Sequence, residues 1–217
     1  MDISSPITLT HGGSQVRTDN ALKVELKAVC SACNNGWMSN LETDFETACG
    51  PMILGSSSSL DANAQGIAAT WAIKTALLLE LAWRYLDTAT YAPASHFAYL
   101  YEHHSAPPND ALVWIAAVDA EAKQLAWSKA ASFSDPSGEP DAYLATVAVG
   151  YLVLQIFGRD IRPSDPATVR EPHRMAVTPQ PLRSFFEQIW PIQHVLVSWP
   201  PRSIFAAGSL NLIFESG

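Results

Sequence analysis

The sequence predicts an α+β fold: a cysteine-bearing module at the N-terminus, a long apolar helix, and a mainly antiparallel sheet with short helices. Three observations carry this. A Cys-x-x-Cys at residues 30–33 sits between an alternating run and an amphipathic one. A single broad apolar stripe at helical spacing occupies residues 61–86. Beyond residue 110, β-branched and aromatic runs punctuated by turn residues replace that period. The polar connector "GSSSSLDANAQ" (55–65) divides the chain into residues 1–54 and 55–217.

Residues 1–20 are polar and give no periodic signal. "LKVELKAV" (22–29) alternates Leu22, Val24 and Leu26 with Lys23, Glu25 and Lys27, the pattern of a half-buried strand. "NNGWMSNLETDFETACG" opens on turn-forming residues and continues as a short helix through Met38, Leu41 and Phe45, with Gly50-Pro51 as its stop. Strand, knuckle and short helix together make the second half of a treble clef. The long helix follows, with Ile67, Trp71, Leu78 and Leu81 on its apolar face and Asp61 as N-cap. "APASHFAYLYEHHSAPP" reads as a further helix ended by Pro107-Pro108. "ALVWIAAVDA" (111–120) and "KQLAWSKAASF" (123–133) read as a strand hairpin around Glu121-Ala122, and residues 142–157 as a third, longer strand. Residues 159–181 read as loop and "PLRSFFEQIW" (181–190) as a short helix.

Charge narrows the functions. Only 16% of residues are charged, against roughly 25% in an average soluble protein, so the chain can bury a large core. The net charge of −8, with Lys and Arg scattered, disfavours DNA as a partner, because phosphate binding needs a basic face. The apolar run 66–83 contains Lys74 and Glu80 and is short of a ~20-residue span, so no membrane segment is expected. "MDISSPITLTHGG" lacks the basic and apolar regions of a leader, and three cysteines suit a reducing cytoplasm. The close pair would be strained as a bridge.

Two segments carry a resemblance. "VCSACNNGWMSNLE" (29–42), followed some thirty residues later by "ATWAIKTALLLE" (69–80), resembles the HNH-endonuclease-like proteins of bacterial genomes and mobile elements. It covers residues 23–85 well and "VWIAAV" (113–118) loosely. Such a protein is nucleic-acid-associated in its complete form. The resemblance implies a first Cys-x-x-Cys that completes a zinc site, then a Glu-His-x-x-Pro segment whose His activates water. Ahead of Cys30 there is no cysteine, and the one histidine, His11, lies in "THGGS", so the chain reads as a member that begins late. Cys30 and Cys33 are carried over as zinc-knuckle positions and Asn34 as the motif's Asn. No catalytic residue is carried over.

Tetrahedral zinc wants four ligands. His11 could fold back as a third. Cys49, at the far end of the predicted helix, is too distant at ~1.5 Å per residue. Full coordination of zinc by this chain is not expected. Lys74 interrupts an apolar face: it snorkels or pairs with a carboxylate, or else it faces a phosphate together with Thr75. Glu102-His103-His104 reads as an exposed helix end, since adjacent histidines point about 100° apart rather than sharing a face. His173 and His194 are isolated, and Asp135, Glu139 and Asp141 form a solvated turn. The seven tryptophans read as core and interface anchors. Beside the nuclease lineage stands a non-enzymatic reading, a platform for a protein partner such as one borne by a phage or plasmid, supported by low charge and many aromatics.

Overall fold

The structure, a computed structural model, describes residues 7–11, 14–19, 29–85, 92–108, 110–119, 127–134, 140–159 and 185–206. It is a mixed helix-and-sheet fold whose strands pair antiparallel with one exception. The strand expected at 22–29 lies outside the described residues, apart from Val29 in a bend. So do residues 160–184, which hold nearly all of the loop expected at 159–181 and the start of the helix expected at 181–190, and His173 with them.

Residues 1–20 hold a signal that the polar composition hides. Strands β1 (Ile7–His11) and β2 (Ser14–Asp19) pair antiparallel across Gly12-Gly13. A two-glycine connection between two short runs of this kind is a hairpin signature.

A helical run then starts at the cysteine pair. A short turn, α1 (Ser31–Cys33), leads into a π-helical segment (Asn34–Met38) kinked at Gly36, and then into α2 (Ser39–Ile53). Contrary to expectation, α2 does not stop at Gly50-Pro51. Pro51 sits in the last turn, where its missing N–H removes a single bond. The stop is Gly55, at φ +83°: its N–H donates to the Met52 carbonyl and that of Ser56 to the Pro51 carbonyl, a Schellman closure.

The connector 55–65 contains strand β3 (Ser58–Asp61), which pairs with β9 (Leu196–Trp199). Helix α3 (Ala62–Tyr85) follows, and Asp61 Oδ1 accepts from the Ala64 N–H at 2.8 Å, the expected N-cap. Its length is as expected, but it is not apolar throughout. Gln65, Thr70, Lys74 and Glu80 are buried in it, and among the described residues no helix is long and apolar enough to cross a membrane. Helix α4 (Ala94–His103) ends at His104, in left-handed conformation.

The main sheet has the order β10-β4-β7-β6-β5, with β8 also paired to β4. Its strands are β4 (Ala111–Val118), β5 (Trp127–Ser134), β6 (Pro140–Val149), β7 (Leu152–Arg159), β8 (Glu187–Trp190) and β10 (Ile204–Phe205). Three sequence expectations fail here. The run 142–157 is two strands, turned at Gly150 with φ +58°. A Cβ there would lie 2.2 Å from the Ile53 carbonyl oxygen, so the turn requires glycine. β4 and β5 do not form a hairpin: β4 pairs with β7, and β5 with β6. Residues 187–190 are strand rather than helix, because β4 is buried on both faces and takes partners along both edges.

Alternation divides the sheet. Val113, Ile115 and Ala117 of β4, with Tyr143, Ala145 and Val147 of β6 and Leu152, Leu154 and Ile156 of β7, join the core that also takes Phe45, Trp71, Ile73 and Leu77 from α2 and α3. The intervening residues Ala116, Val118, Ala148 and Val153 pack on Phe205, with Phe185 and Phe186 against it. One buried cluster thus runs from Leu41 to Trp199, taking side chains from both sides of residue 55.

Candidate functional site

The segments that carry the family resemblance meet in space. Glu42, on the first turn of α2, accepts a hydrogen bond from the Trp71 indole N–H at 2.6 Å and forms an ion pair with Lys74. Trp71 and Lys74 are three positions apart, so both present to the same side of α3. Phe45, one turn beyond Glu42, stacks on Trp71 with ring centroids 3.8 Å apart and planes within 3°. The Lys74 ammonium also lies 5.5 Å from the Trp71 ring centroid. Lys74 is nearly fully buried and Glu42 is half exposed, so the charge is taken out of water on one side only. Of the roles open to Lys74 in the sequence, pairing with a carboxylate is the one the geometry contains.

Cys30 and Cys33 sit at the mouth of this unit. Cys30 has extended backbone (φ −66°, ψ 151°) and its Sγ accepts from the Cys33 N–H at 3.2 Å, which folds the Cys30 side chain over the start of the turn. The hydrogen bond from Cys33, side chain first and backbone second, draws the Cys30 thiol below its usual range, while donating to Cys30 holds the Cys33 thiol above its own. Cys30 is therefore the sulfur that carries charge first. The indole N–H of Trp37 is buried with no partner in bonding geometry, close enough to Cys33 to favour its thiolate. Cys49 is different: it is fully enclosed in the core, and burial pushes its thiol up to about 12.

Cys30, Cys33 and Lys74 share one cavity of about 340 Å³, walled by Trp37, Leu77, Leu81, Phe97, Leu100 and Tyr101 among others. That is the lower end of small-ligand pocket sizes. Asn34 is not among the residues lining it; its side-chain amide donates to Asn35, and it is exposed.

Zinc is the group the resemblance implies. Two adjacent sulfurs, one already accepting an N–H, fit two corners of a tetrahedral site. Among the described residues no cluster of three or more His, Cys, Asp or Glu could hold a metal. His11 ends β1, and its side chain lies outside the described set.

The remaining histidines are placed in other ways. His103 and His104 are exposed at the end of α4; His103 stacks on Tyr99 and His104 on Trp37. His194 is exposed, and its carbonyl accepts from the Gln65 amide. Sequence reasoning missed His96, which is buried between the Tyr143 hydroxyl and the Arg159 carbonyl, each 3.2 Å from a ring nitrogen. Burial, followed by the Glu80 carboxylate, pushes the Tyr143 phenol upward, so it stays protonated. These groups tie α4 to β6 and β7. The one clue in the sequence was Gly158, where a Cβ would fall 2.1 Å from the Tyr143 ring.

No family model, curated protein or solved structure matches this chain.

Proposed function

We propose that this is an HNH-endonuclease-like protein whose residues 30–42 and 71–75 form the family's knuckle-and-helix unit. In this reading Cys30 and Cys33 hold two corners of a zinc site that steadies the knuckle. The remaining corners fall to water or to groups outside the described residues. The observation that supports it is the meeting of the two motif segments through Glu42, Trp71 and Lys74. A motif whose distant halves are each other's binding partners behaves as one inherited structural unit.

The chain itself is proposed not to cut nucleic acid. No histidine in the sequence stands in the family's Glu-His-x-x-Pro context, and a net charge of −8 opposes a broad phosphate-binding face. Supercoiled plasmid incubated with the purified chain and Mg²⁺ or Mn²⁺ stays supercoiled on this account. Metal-dependent nicking that disappears in Cys30→Ser would reverse it.

A second reading, a non-enzymatic module that binds another protein, is favoured by one surface feature. The β8–β9 connection and the first residue of β9 expose Ile192, Val195 and Leu196, the last two by 84% and 58%. If this surface binds a second copy, light scattering across a concentration series gives a rising mass that Val195→Asp abolishes. An unchanged mass in both proteins counts against self-association.

A further inference from the structure

We propose that Cys30 and Cys33 form a thiol–disulfide exchange site, with Cys30 the attacking sulfur and Cys33 the resolving one, acting on low-molecular-weight disulfides such as that of glutathione. This goes beyond the zinc reading, because two sulfurs joined to each other no longer ligate a metal.

Four features carry it. The Cys33 N–H donates to Cys30 Sγ across one turn, holding the Cys30 sulfur against the residue that resolves it. Cys30 is exposed and Cys33 only partly so, which gives an accessible attacker and a shielded resolver. Both line one cavity of about 340 Å³, which can take one arm of such a disulfide rather than the whole of it. The Trp37 indole N–H is buried without a partner, and Trp37 lines the same pocket, so a donor is available there to a carbonyl or carboxylate of a bound disulfide. The strain expected of a bridge at this spacing fits the same role, since strained and exposed disulfides are the ones readily reduced again.

The chemistry balances with the external disulfide as oxidant. The Cys30 thiolate attacks one of its sulfurs, the S–S bond breaks, and one thiolate leaves and takes up a proton. Cys33 then gives up its proton to solvent, attacks Cys30 Sγ and expels the second thiolate. Two protein thiols become one disulfide, and the external disulfide becomes two thiols.

The test uses the full chain, stripped of metal with a chelator, in a series of oxidised and reduced glutathione mixtures. Free thiols are alkylated and the peptides weighed. The expected product is a peptide holding both Cys30 and Cys33, lighter by two hydrogen atoms and restored by dithiothreitol, while Cys49 stays reduced. Cys33→Ser accumulates a glutathione adduct on Cys30, and Cys30→Ser gives less adduct on the more shielded Cys33 in the same time. Unchanged far-ultraviolet dichroism shows that both variants fold. Two results would overturn the proposal: both cysteines remaining free even in the most oxidised glutathione mixture, or equal adduct formation in the two variants. Because the chain is metal-free, failure of the zinc reading leaves this outcome unaffected.

Discussion

The two halves of the buried cluster are held together by different kinds of contact. Between α2 and α3 the contacts depend on residue identity: a carboxylate that serves an indole and an ammonium, and two rings stacked face to face. Within the sheet they depend on pattern: alternating Val, Ile, Leu and Ala pack on both faces, and most could be exchanged for neighbours of similar volume. The first kind leaves a short, specific signature in sequence. The second leaves only periodicity, which many topologies share.

Substitutions can break this contrast, beginning with the largest expected effect. Phe45→Ala removes the ring stacked on Trp71 and opens a cavity, and it should cost about 3–5 kcal/mol in chemical denaturation. Glu42→Ala strands the buried Lys74 ammonium. The expected cost is about 2–3 kcal/mol, below the ~3–5 of a fully buried pair because Glu42 is half exposed. Lys74→Met instead leaves the carboxylate facing water and costs under about 1 kcal/mol, so the asymmetry between the two variants is the sharper readout. On the sheet side, Gly158→Ala drives a methyl into Tyr143 and His96 and should cost about 1–3 kcal/mol, measured as a lowered Tm. A neutral Gly158→Ala would show that the sheet yields where it is expected to be tight. Asp61→Ala, at the α3 cap, should cost about 1 kcal/mol.

Thiol reactivity sharpens the contrast without changing stability. Alkylation requires the thiolate, so a thiol drawn below its usual range reaches half-maximal rate at lower pH. Cys30 should therefore react to the acid side of a free cysteine, Cys33 to the alkaline side, and Cys49 only on unfolding.

The same contrast explains what the sequence made legible. The α+β class, the cap at Asp61 and the helical span of α3 follow from local chemistry and could be read directly. Cys30 and Cys33 stood out by spacing, and Lys74 by interrupting an apolar face. Their shared cavity could not be read, because Phe97 and Leu100 reach it from another helix, α4, distant in sequence. Pairing within the sheet was misread at β4 and β5 because a strand buried on both faces shows no alternation to indicate its neighbours. Residues 187–190 have helical composition, and the open edge of β4 overrides it. The Gly150 turn was legible in principle: a lone glycine inside a long β-rich run marks a break.

The most direct measurement is the zinc content of the chain by elemental analysis after purification without added metal, beside Cys30→Ser and Cys33→Ser. The account predicts zinc in the unaltered chain that a chelator strips readily, and its loss from both variants while far-ultraviolet dichroism is unchanged. A zinc content near zero in the unaltered chain, or zinc retained equally by both variants, would contradict it.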